Sequence, residues 1–145
     1  MPTIEESVQI SCPVDKVFAY TTDPNSWPKW QPFPAVKKTS PGPMGIGSTT
    51  KGTIRMMGLT MKWTAEVTEF EPNSKFGKNI KSGPINIREH NTYAPQGEST
   101  KITIIYDITL GAIMKPLSPV FVSSMRKTLE KALQDLKANL EASTS

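Results

Sequence analysis

The last stretch of the chain, from about Pro116 to Glu141, constrains the fold more than any other. Leu117, Phe121, Met125, Leu129, Ala132, Leu133, Leu136 and Leu140 recur at three- and four-residue steps, a spacing that gathers side chains on one helix face. Ser124, Arg126, Lys127, Glu130, Lys131, Gln134, Asp135, Lys137 and Glu141 belong on the opposite, wet face. A lone helix of this length is marginal in water. It therefore needs an apolar surface to lie on, and the strands before it are the candidate.

Ile4, Val8 and Ile10 alternate with polar residues and predict a strand over about 3–10. Pro13 suits the start of a helix and Asp15 its first turn, with Val14, Val17, Phe18 and Thr21 inward. Asp23-Pro24 stops that helix, because the residue before a proline is pushed out of helical geometry. A second short helical turn, Asn25 to Lys29, carries Trp27 and leads into Trp30, Pro32 and Phe33. A strand through Val36 and a turn-rich loop, Pro41 to Gly47, follow.

Further strands are predicted over about 48–57, 59–71, 75–81, 84–93 and 101–110. In the second of these, Leu59, Met61, Trp63, Ala65 and Val67 alternate with polar residues, and Phe70 breaks the pattern, which predicts a bulge near Glu69. Ser82-Gly83 predicts a two-residue hairpin turn. Ile102, Ile104, Tyr106, Ile108 and Leu110 face inward on the last strand. An antiparallel meander with one apolar face and a terminal amphipathic helix is an α+β fold with the helix in the sheet's concavity.

At 145 residues with 37% apolar side chains, the chain fits one domain, 1–145, able to bury its own core. Cys12 is the sole cysteine, so no intramolecular disulfide is possible, and a reducing compartment is expected. The opening residues lack a signal-peptide pattern, and no apolar run approaches the ~20 residues of a membrane span. A cytoplasmic location without integral membrane association is expected. The formal charge of +4 is mild, and no specific nucleic-acid partner is expected.

Val8-x-Ile10-x-Cys12-Pro13-x-Asp15-x-Val17-Phe18-x-Tyr20-x-x-Asp23, followed by Trp27-Pro28-x-Trp30-x-Pro32, resembles the opening of the START-like (SRPBCC, helix-grip) superfamily. The likeness is closest to the polyketide cyclase/dehydrase and lipid-transport family, and it extends through the glycine loop, Val67-x-x-Phe70-x-Pro72 and the terminal helix. It implies a seven-stranded antiparallel sheet gripping the last helix, with two short helices after the first strand. It also implies a cavity between sheet and helix, with the short helices and the Gly42–Gly47 loop at its mouth. The family's members include aromatase/cyclases and carriers of lipids and quinones.

The residues supply a lining independently. Met56, Met61 and Trp63 share the sheet face that must meet Phe121, Met125 and Leu129, and methionines and aromatics fill irregular apolar space. Phe76, Tyr106 and Glu89 complete the candidate wall. Trp27 and Trp30 either stack on a guest at the entrance or anchor the short helices. With Ser82-Gly83 as the turn, Phe76 pairs with Glu89, Lys78 with Ile87 and Ile80 with Ile85. Lys78, Glu89 and Asn91 then share the face of Ile85, Ile87 and Tyr93. A carboxylate beside a lysine there could orient a carbonyl or hydroxyl; the alternative is a charged pair at the sheet's end in water. Glu6 lies among the inward residues of the first strand.

With one histidine, His90 on the outer face, and one cysteine, no triad or metal cluster can be assembled. No catalytic residue, metal or cofactor is assigned, and Cys12 reads as structural. Tyr20, Tyr106, Glu89 and Arg88 could move protons for a cyclase. Gly42 and Gly47 match two positions of a P-loop, but Ser48 stands where the lysine is needed. Lys51, Arg55, Lys62, Lys75, Lys81 and Arg88 fall on the outer sheet face, which could meet anionic headgroups or RNA. The expectation is a carrier or sensor of a small hydrophobic molecule such as a lipid, isoprenoid or polyketide, as a monomer or weak homodimer. The alternatives are a polyketide aromatase/cyclase or dehydratase, and a protein contacting membrane or ribosome through its basic face.

Overall fold

The computed structural model describes residues 2–56 and 58–144, with side chains as far as Ala142. Strand β1 (Thr3–Ile10) leads to helix α1 (Val14–Thr21) and a 3₁₀ turn, Pro24–Lys29. Then come β2 (Ala35–Lys38), β3 (Thr49–Met56), β4 (Leu59–Glu71), β5 (Lys75–Ser82), β6 (Ile85–Gln96) and β7 (Ser99–Leu110). A second 3₁₀ turn, Lys115–Leu117, precedes helix α2 (Ser118–Thr144). Met57, expected as the last residue of a strand, lies outside the described residues.

The strands form one seven-stranded antiparallel sheet in the order β1-β7-β6-β5-β4-β3-β2. The segment holding α1 and the first 3₁₀ turn thus carries the chain from one sheet edge to the other. The predicted bulge is present: the β4–β5 register moves from Val67↔Lys78 to Glu69↔Gly77. The β5–β6 turn differs from the expected one. Ser82 pairs with Ile85, so Gly83-Pro84 makes the turn, and Lys78 stands directly opposite Glu89, with Ile80 opposite Ile87 and Phe76 opposite Asn91. Gly83 has φ +55°, as the first central residue of a type II′ turn requires, and proline supplies the negative φ that follows. The slip is two residues, so no side chain changes face. β6 and β7 also run further than their alternation indicates, to a tight turn at Gly97 with Gln96 opposite Ser99.

Phe121, Met125, Leu129, Ala132, Leu133, Leu136 and Leu140 of α2 are buried, as their period predicts. Leu117 is not. It belongs to the 3₁₀ turn that precedes α2 and is exposed. No helix among the described residues is long and apolar enough to cross a membrane.

Candidate functional site

A cavity opens between the N-terminal half of α2 and the tips of the β3–β4 and β5–β6 hairpins. Phe121, Met125, Leu129 and Ala132 form its helix side; Ile54, Met56, Met61, Trp63, Ile80, Ile85, Ile87 and Tyr106 form its sheet side. Gln31, Pro32 and Phe33 close a third side, held there by the Arg55 amide donating to the Pro32 carbonyl at 2.9 Å. The wall is almost entirely carbon. The free space is about 50 Å³, room for a short apolar group. Pockets for drug-sized ligands are typically about 300–1,000 Å³.

Of the residues nominated from sequence, Met56, Met61, Trp63, Tyr106, Phe121, Met125 and Leu129 stand on this wall, while Trp27, Trp30, Phe76 and Glu89 do not. The Trp27 indole N–H donates to the Thr21 carbonyl at 2.9 Å, and its ring tilts against Trp63 and Phe76. The Trp30 indole N–H reaches Ser26 Oγ at 3.4 Å. Trp27 thus fastens the 3₁₀ segment to α1 and the sheet, while Trp30, itself buried, closes back on the segment. The Gly42–Gly47 loop is also off the wall; the Gly47 amide donates to the Val67 carbonyl and the Gly45 amide to Ser48 Oγ. Gln31–Phe33, which follow the first 3₁₀ turn, border the cavity instead; their sequence signal is the apolar pair Pro32 and Phe33 just past the tryptophans.

Behind the cavity lies a buried polar cluster. Lys78 Nζ is 3.4 Å from Glu89 Oε1, and the two side chains are only 2% and 3% exposed, which rules out the solvated pair at the sheet's end. Asn91 Nδ2 donates to Glu89 Oε2 at 2.7 Å, and the Lys78 ammonium sits 3.7 Å from the Trp27 ring centroid, a cation–π contact. Burial pulls the Lys78 pKa down, opposed by the Glu89 carboxylate. Tyr106 stands opposite Glu89 in the β6–β7 ladder and on the cavity wall. Burial, reinforced by Glu89, holds its hydroxyl well above the usual pKa, so near neutrality it is a hydrogen-bond donor and not a base. The Tyr93 hydroxyl is 2.6 Å from Thr21 Oγ1.

The remaining candidates hold the fold together. Tyr20 Oη accepts from Asn139 Nδ2 at 3.2 Å, which ties α1 to α2. Cys12 is buried, which raises its thiol pKa, and its carbonyl accepts from Thr100 Oγ1. Glu6 approaches α2; burial and the neighbouring Glu130 carboxyl raise its pKa. On the outer face His90 Nδ1 is 2.5 Å from Glu69 Oε1, and Nε2 is 3.5 Å from Asp107 Oδ2. Gly77 lies between Glu69 and His90 in the ladder, and a Cβ there would be 2.5 Å from Glu69 Oε1, so a glycine is what lets the pair meet across β5. Among the described residues no three His, Cys, Asp or Glu side chains converge as metal ligands.

The sequence profile described as polyketide cyclase / dehydrase and lipid transport matches residues 1–141. The chain belongs to that family. A search of curated proteins by sequence gives no match. Among solved structures, the Zhui aromatase/cyclase from Streptomyces sp. R1128 superposes with a TM-score of 0.85 at 12% identity, covering 99% of this chain and 96% of that one. TTHA0849 from Thermus thermophilus gives 0.84 at 17% identity, over 99% of this chain and 100% of that one. A START superfamily protein from Mycobacterium smegmatis gives 0.83 at 14% identity, over 97% of each chain. Identities this low establish a shared helix-grip fold and nothing finer.

Proposed function

We propose that this family member binds a small, mostly hydrocarbon molecule between its sheet and α2, as a carrier or sensor of a lipid, isoprenoid or polyketide-like compound. One observation carries the reading: an apolar void walled on three sides, with the flexible side chains of Met56, Met61 and Met125 in its lining. As those side chains stand, the space of about 50 Å³ suits a short chain or a single ring edge. A longer guest would enter as the methionines change rotamer, each at little cost because an unbranched thioether has several low-energy rotamers. With only Gln31, Ser82, Tyr106 and Thr128 bringing polar groups to a lining that is otherwise apolar, selection would rest chiefly on shape and length.

The aromatase/cyclase reading draws support from the family description and from the Zhui neighbour's name. It needs an acid–base group beside the substrate. Glu89 lies off the cavity wall and Tyr106 holds its proton, so binding is favoured over proton transfer.

The test is a titration with straight-chain alkanols and fatty acids of increasing length, following tryptophan emission and, in parallel, native mass spectra. Trp63 lies on the wall, so a saturable emission change that is lost in Trp63→Phe is expected, together with a mass adduct. No saturable change and no adduct at any chain length would contradict the proposal.

A further inference from the structure

We propose that the end of the molecule carrying the cavity mouth docks on an anionic phospholipid bilayer. Three chain reversals meet there: the β3–β4 tip, the β5–β6 tip and the connection from β7 into α2. The Gly111 amide donates to the Pro84 carbonyl at 2.7 Å, and Ser82 Oγ donates to the Lys62 carbonyl at 2.7 Å, which locks the three side by side. Ile113 is 82% exposed and Leu117 53% on the connection from β7, and Val120 61% in the first turn of α2; Leu59, at the β3–β4 tip, is 60% exposed. A single exposed aliphatic residue is ordinary, but a cluster beside an apolar cavity is not.

Charge is distributed to match. Residues 24–65, 72–88 and 108–129, the three longer stretches from which this end is drawn, contain no Asp or Glu. Arg55, Lys62, Lys81 and Lys115 are exposed within them. Acidic residues Glu66, Glu69, Glu71 and Asp107 lie farther along the same strands, so the basic surface is this rim and not the whole outer sheet. Protruding aliphatic side chains ringed by cations fit the boundary between acyl chains and anionic headgroups. A protein partner would be expected to meet aromatic anchors, and among the described residues no aromatic side chain is a large exposed hydrophobic.

The inference rests on exposure and charge, not on an occupied cavity, so failure of the alkyl titration would leave it standing. If both hold, the guest passes between bilayer and cavity without crossing open water.

The test is flotation with vesicles of phosphatidylcholine alone and of phosphatidylcholine mixed with phosphatidylglycerol, at low and high salt. Binding to the anionic vesicles, weakened by salt, is expected. Lys115→Ala or Lys62→Ala should lower partitioning about fivefold each. Ile113→Asp or Leu117→Asp should lower it about tenfold or more. Ile46→Asp, at the opposite end of β3, should leave it unchanged. Absence of binding to anionic vesicles would overturn the proposal. So would binding that Ile113→Asp and Leu117→Asp leave intact, or that Ile46→Asp reduces equally, and so would capture of an acidic protein without vesicle binding. Circular dichroism of each exposed-site variant confirms that it is folded.

Discussion

Lys78 and Glu89 set the terms at the scale of single residues. Two charges out of water are held by one contact of 3.4 Å, an amide from Asn91 and the face of Trp27. Removing one partner strands the other, so Lys78→Met should cost about 3–5 kcal/mol in urea unfolding. Lys78→Met combined with Glu89→Gln keeps an acceptor for Asn91 and removes both charges. It should recover at least half of that loss, and a double variant no more stable than Lys78→Met would refute the pairing. Tyr106 gives a pH signature. Its folded pKa lies above the usual value near 10, so the folded state holds a proton that the unfolded state releases. The stability this group contributes is full below pH 10 and falls as pH rises beyond it. Tyr106→Phe should therefore melt like the wild type at pH 7 and lose less stability between about pH 9.5 and 11. That Lys78, Glu89 and Asn91 share the inner face was legible from their spacing of two. Their burial depth was not, because alternation reports a side and says nothing of what covers it.

Elements were legible wherever one periodicity ran unbroken, as from Leu59 to Val67 in β4 and from Phe121 to Leu140 in α2, and misread where local backbone geometry decided. Ser82-Gly83 reads as a two-residue turn, but Gly83-Pro84 makes it, with glycine's positive φ at the first central position. Leu117 follows the helical count in the sequence but lies in the 3₁₀ turn before α2 begins, and it is exposed. Glycines rank accordingly. Gly83→Ala keeps its space but strains a positive φ, at a cost of about 1 kcal/mol. Gly77→Ala would drive a methyl to 2.7 Å from the Glu89 carbonyl oxygen and into the Glu69 carboxylate, so about 1–3 kcal/mol is expected. Thermal melts of the two should rank in that order, and the reverse would contradict the packing around β5.

At the scale of the whole molecule, sheet and α2 enclose more surface than their side chains fill. The helix-grip arrangement could be anticipated from the Val8–Asp23 and Trp27–Pro32 motifs; the size of the void could not, because it depends on where three methionine side chains end. A guest bound only to the folded state should raise the melting temperature with concentration, by the equivalent of about 2.7 kcal/mol at a hundred times its Kd. The most direct test is calorimetric titration of one straight-chain fatty acid into the wild type and into Met125→Trp, which fills the void. A saturable one-to-one isotherm with a negative heat-capacity change in the wild type, absent in a Met125→Trp protein that still unfolds cooperatively, is predicted. Equal heats in the two proteins, or none in either, would contradict a guest between sheet and helix.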